Sequence, residues 1–150
     1  MSTKFCLKMF TKFVQCTCAI HLIHRYVGDV ITCSGPSMEP TLYSDDVLIT
    51  ERISLRLQKL KKGDIVISKC PSNPKQHICK RVVGLPGDKL QYGIIVPNGH
   101  VWLEGDNKNN STDSRVYGPV PQGLLRGRAL CKILPLRDIT FFETEHVQSD

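Results

Sequence analysis

From residue 46 onward the apolar residues fall in short runs, each closed within a few positions by Gly, Pro, Asn or Asp. Residues 46–50, 64–69, 77–83, 89–92, 94–96, 100–104 and 126–134 read as strands, and 53–60 as a short helix. Short strands at this spacing predict a mainly β, antiparallel fold and not a βαβ sheet. Within 77–83, alternation puts Ile78, Lys80 and Val82 on one face and turns Arg81 the other way, toward solvent or a carboxylate. Trp102, alone in an alternating strand, reads as core packing.

The first 33 residues have a different pattern. Residues 3–27 read as helix, with Lys4, Lys8 and Lys12 at i, i+4, i+8 on one face. Phe5, Met9, Phe10, Phe13 and Val14 supply apolar surface, and no acidic residue precedes Asp29. Such a stretch fits a mitochondrial-type targeting or surface-binding helix. The apolar run 13–23 is interrupted by Gln15 and His21, so it is short and polar for a spanning helix. A span over 13–33 and a half-buried interfacial anchor both remain open. The chain thus divides into an anchor segment at 1–33, a β domain at 34–137 and a polar tail at 138–150 that carries Phe141 and Phe142.

Three segments carry chemistry. Ser37 lies in Ser34-Gly35-Pro36-Ser37-Met38-Glu39-Pro40, a stretch punctuated as a tight loop. Lys80 opens Lys80-Arg81-Val82-Val83-Gly84-Leu85-Pro86-Gly87-Asp88, and a polar loop runs from Gly105 to Arg115. A serine hydroxyl needs a base to become a nucleophile. A lysine serves only when neutral, and its free pKa of about 10.4 must be lowered by burial. The apolar face shared by Ile78 and Val82 supplies that desolvation for Lys80.

In this order the three segments resemble the signal peptidase I family of serine proteases, and within it the mitochondrial inner membrane branch. The match runs from about residue 34 to 134. The resemblance implies a β-rich catalytic core behind an N-terminal membrane anchor. Ser37 would be the nucleophile and Lys80 the general base. Ser111 would orient the Lys80 amine, Asp113 and Arg115 would pair beside it, and Asp106 would brace the loop. The backbone N–H of Ser37 would be the first oxyanion donor. Bacterial members add a serine hydroxyl two residues earlier, where this chain has Gly35. Either the Gly35 backbone or another donor takes that place. The family implies no metal or organic cofactor. It also implies a sister subunit in a heterodimer, contact with inner-membrane lipid, and precursors with sorting peptides for the intermembrane space as substrates. Endoplasmic reticulum members carry histidine where this chain has Lys80.

Composition narrows the rivals. Net charge is +6 without blocks of like charge or aromatic–basic interleaving, so nucleic-acid binding is disfavoured. The seven cysteines form no Cys-x-x-Cys pair, and their histidine neighbours lack zinc spacing. Ser72-Asn73-Pro74-Lys75 has the Ser-x-x-Lys spacing of penicillin-recognising enzymes, but Asn73-Pro74 reads as a turn where that motif starts a helix. A LexA-type self-cleaving protein also pairs Ser and Lys on a β fold, yet no DNA-binding helical segment precedes Ser37. A non-catalytic scaffold subunit is the other alternative, and all three chemical positions stand against it.

Overall fold

The structure is a computed structural model that describes residues 3–22 and 28–142. Helix α1 (Thr3–Leu22) comes first. Its side chains from Phe5 to Leu22 are exposed, including Phe10, Phe13 and Ile20. The expected helix extended to residue 27, and 23–27 lie outside the described residues. Among the described residues, no helix is long and apolar enough to cross a membrane.

The rest is an antiparallel sheet that bends into a half-barrel. Its strands are β1 (Val30–Thr32), β2 (Val47–Glu51), β3 (Ile65–Lys69), β4 (His77–Gly84), β5 (His100–Glu104), β6 (Val120–Pro121), β7 (Leu125–Leu134) and β8 (Thr140–Phe141). The spatial order is β1-β2-β7-β3-β4-β5-β6, with β8 paired to β7. Register shifts interrupt the β2/β7, β3/β7 and β4/β5 ladders. Such irregularities bend a strand and increase its twist, which curls the sheet.

Both faces of the sheet are covered, so β3 is buried along its length and does not alternate. Ile65 enters one core with Cys33, Met38, Leu42, Leu48 and Ala129, while Val66 enters a second with Val82, Val101, Leu103, Val120 and Leu125. Fully burying each such side chain contributes about 1.5–3 kcal/mol. Met38 and Leu42 belong to the serine segment, and the Leu42 N–H donates to the Met38 carbonyl at 2.9 Å. The loop that carries Ser37 is therefore plugged into the first core by its own apolar residues. Trp102 is 6 % exposed, as its strand pattern predicts.

Three expectations need correction. Residues 89–92 and 94–96 do not form two strands. A 3-10 turn at Gln91–Gly93, with Gly93 at φ 74°, takes the apex, and only a Lys89–Ile95 bridge remains. The helix expected at 53–60 is the single turn α2 (Ile53–Arg56), because Gln58 adopts φ 52° and ends it. The polar loop closes with helix α3 (Ser114–Tyr117), which Asp113 caps. In the tail, β8 pairs with Cys131 and Lys132 of β7, and Phe142 packs on the first core.

Candidate active site

The fold brings Ser37 and Lys80 together. Ser37 sits on the turn after β1, half-buried, and Lys80 lies at the centre of β4, opposite Val66 of β3. The Lys80 Nζ–Ser37 Oγ distance is 2.5 Å. Lys80 is only 4 % exposed. Burial lowers its pKa below the ordinary lysine value, and negative charge nearby, including Asp113, partly opposes that shift. A neutral amine at this distance can accept the Ser37 proton across the same contact.

The polar loop docks on the serine segment backbone to backbone. Asn107 N–H donates to the Ser37 carbonyl at 3.1 Å, and the Asn107 side-chain amide donates to the Pro36 carbonyl at 3.1 Å. Gly105 makes this approach possible. A Cβ there would lie 2.2 Å from Ser111 Oγ and 2.4 Å from the Ser37 carbonyl oxygen.

Asp113, fully buried, organises the loop. Its carboxylate accepts from Gly105 N–H at 2.9 Å, from Ser111 Oγ at 2.7 Å and from Arg115 Nε and Nη2, both at 2.8 Å. The Arg115 backbone N–H, at 3.2 Å, caps α3 through the same carboxylate. Burial alone would raise this carboxyl, but the donors outweigh it and hold it far below the usual carboxylate range. Ser111 thus spends its hydroxyl on Asp113, whereas the hydrogen bond of the Lys80 amine goes to Ser37.

Asp106 ties all three segments together. It accepts from Thr41 Oγ at 2.6 Å, and from Arg81 Nε at 2.8 Å and Nη2 at 2.6 Å. Thr41 follows the serine, and Arg81 adjoins Lys80. Burial opposes the Asp106 charge, yet Arg81 and Thr41 keep its carboxyl below the ordinary range. Arg81 has thus found the carboxylate its strand position anticipates. The sequence offered no sign that Thr41 is the third partner. Gly35, at φ 87°, donates its N–H to Ser44 Oγ at 3.1 Å. The Ser72–Gln76 segment is a turn between β3 and β4, so Ser-x-x-Lys starts no helix there. All seven cysteines are free, and Cys79 packs against the first core, which contains Cys33.

A cleft of about 910 Å³ opens over the pair. Val30 to Gly35, Cys70, Gln76 to Lys80, Ile67 and Gly127 are among the residues that line it. Among the described residues β1 pairs with β2 alone and ends the sheet, and its residues line the cleft. A cleft lined by a serine hydroxyl and by a buried amine in contact with it, beside an outer strand, suits the binding of an extended peptide.

The chain belongs to the family described as signal peptidase, peptidase S26, whose profile matches residues 6–94 and 92–134. It is a protease that processes signal peptides. Among its curated relatives, mitochondrial inner membrane protease subunit 1 of Homo sapiens is 52% identical over 137 residues, 85% of this chain and 82% of that protein. The subunit 1 protein of Schizosaccharomyces pombe is 43% identical over 131 residues, covering 81% and 83%. Mitochondrial inner membrane protease subunit 2 of Danio rerio is 42% identical over 135 residues, covering 82% and 73%.

The charge around Lys80 gives a pH test. Asp113 favours the ammonium and Arg115 disfavours it. In Asp113→Asn the supporting charge is gone while the guanidinium stays. With Lys80 as the expected base, the rising limb of kcat/KM against pH should therefore move to lower pH. A limb that stays in place or moves up would show that Asp113 does not act on the base.

Proposed function

We propose that the chain is a membrane-associated serine endopeptidase that removes sorting peptides from proteins delivered to the mitochondrial intermembrane space. The buried Lys80 amine, in contact with Ser37 Oγ at 2.5 Å, carries this reading. Neutral Lys80 takes the Ser37 proton as Oγ attacks the scissile carbonyl. The Ser37 N–H stabilises the oxyanion. The Lys80 ammonium then protonates the leaving amine, an acyl-enzyme remains, and Lys80 activates the water that releases it. An extended substrate adds along the free edge of β1, where main-chain hydrogen bonds give affinity. Ser111, Asp113 and Arg115 steady the base from the loop side, and Asp106 braces the loop against Arg81 and Thr41.

The relatives are named as subunits of a mitochondrial inner membrane protease, which supports an inner-membrane location and a sister subunit for this chain. Residues 1–33 form the targeting and anchor segment, 34–137 the catalytic domain, which faces the intermembrane space, and 138–150 the tail. α1 exposes its apolar residues to lipid, and each basic residue near anionic lipid contributes about 1 kcal/mol.

Cells that lack this chain should accumulate inner-membrane precursors with uncut sorting peptides, read as shifted protein N-termini. The wild-type chain should restore the cuts and Ser37→Ala should not. Restoration by Ser37→Ala, or unchanged N-termini without the chain, would contradict the proposal.

A further inference from the structure

The Ser37 N–H shares its peptide unit with the Pro36 carbonyl, and that carbonyl is held from two sides. Glu39 N–H donates to it at 3.2 Å and the Asn107 side-chain amide at 3.1 Å. The Asn107 backbone N–H holds the next carbonyl, that of Ser37, at 3.1 Å. Asn107 therefore grips both peptide units that flank the Ser37 Cα. The Pro36–Ser37 bond is trans, so its C=O and N–H point in opposite directions. An oxygen fixed toward Asn107 turns the N–H to the far side of the peptide plane. Among the described residues that N–H donates to no protein acceptor, and Ser37 lines the cleft. Each hydrogen bond at the oxygen also polarises the unit, strengthening the N–H as a donor by about 10–30%.

We propose that Asn107 is a positioning residue for acyl transfer: its side-chain amide orients and polarises the Pro36–Ser37 peptide so that the Ser37 N–H meets the developing oxyanion. This inference rests on Ser37 being the nucleophile. A carbonyl oxygen accepts only from a donor, so the side chain must present its NH2, which alanine and aspartate both lack. The backbone bonds of Asn107, including the one Asn110 N–H donates to its carbonyl at 3.1 Å, survive side-chain replacement.

The test compares full-length wild type, Asn107→Ala, the nearly isosteric Asn107→Asp, and Ser37→Ala on one peptide that spans a sorting-peptide cut. In both Asn107 variants kcat should fall about tenfold to a hundredfold with KM within about twofold, since the loss is confined to the transition state. A peptide aldehyde of the same sequence adds to Ser37 Oγ. The C–O bond forms, the carbonyl electron pair moves to oxygen, and the Oγ proton passes to Lys80. Its affinity should fall by the same factor as kcat, while the corresponding peptide alcohol binds as before. In Asn107→Ala, which adds no charge, the acid limb of the pH profile should not move, because the Ser37–Lys80 contact is untouched. Wild-type kcat in either variant, equal weakening of aldehyde and alcohol, a displaced limb in Asn107→Ala, or loss of the fold in both variants would overturn the role. Cleavage by Ser37→Ala would instead remove the nucleophile assignment itself, so the two failures are distinguishable.

Discussion

Lys80→Arg should be as inactive as Lys80→Ala, with kcat lower by roughly 10²–10⁴-fold, the usual contribution of a positioned general base. Arginine keeps the charge and nearly the length, but its guanidinium does not deprotonate in a protein. A lysine kept for ion pairing would tolerate the exchange. The site favours the other role, because the Lys80 amine contacts a hydroxyl and its burial disfavours the charged form. The measurement is kcat on a peptide that spans a sorting-peptide cut, with circular dichroism to confirm the fold. Activity above about a tenth of wild type in Lys80→Arg would leave less than one order of magnitude for base catalysis and rule that role out.

Gly105→Ala should have the second large effect. Its Cβ would sit 2.2 Å from Ser111 Oγ, 2.4 Å from the Ser37 carbonyl oxygen and 2.6 Å from Ser111 Cβ. Ser111 can turn its hydroxyl, but the Ser37 carbonyl is main chain and is also held by Asn107. The serine segment and the polar loop must separate. A shift of about 1 Å at a reacting group can cost on the order of a hundredfold in rate, and overpacking costs roughly 1–3 kcal/mol of stability. Gly123→Ala is the control, since nothing lies within 4 Å of its Cβ position. Activity within twofold of wild type in Gly105→Ala, measured alongside that control, would show that the two segments need not touch.

The sequence made the meeting of Ser37 and Lys80 legible and left its bracing obscure. Ser37 and Lys80 stood out because their segments resemble those of the signal peptidase I family, while β3, β4, β5 and β7 were long enough to show their strand patterns. β1, β6 and α3 have three, two and four residues, too few for any periodicity to register. The loop from Gly105 to Arg115 read as polar, but that five hydrogen bonds converge on the Asp113 carboxylate is a property of its folded path. Thr41, Arg81 and Asp106 lie far apart in the chain, so their cluster follows only from the sheet order. The same holds for Asn107, one of several similar residues in its loop until its amide is seen on the Pro36 carbonyl.

Trapping the acyl-enzyme tests the central claim most directly. The full-length protein is treated with a serine-directed acylating probe across a pH series, and the adduct is located by peptide mass mapping. The expected result is a single adduct on Ser37, formed faster as pH rises through the deprotonation of Lys80. It should be absent in Ser37→Ala and formed far more slowly in Lys80→Arg. An adduct on another residue, or one formed on Ser37 as fast with arginine at position 80, would contradict a Ser37–Lys80 mechanism.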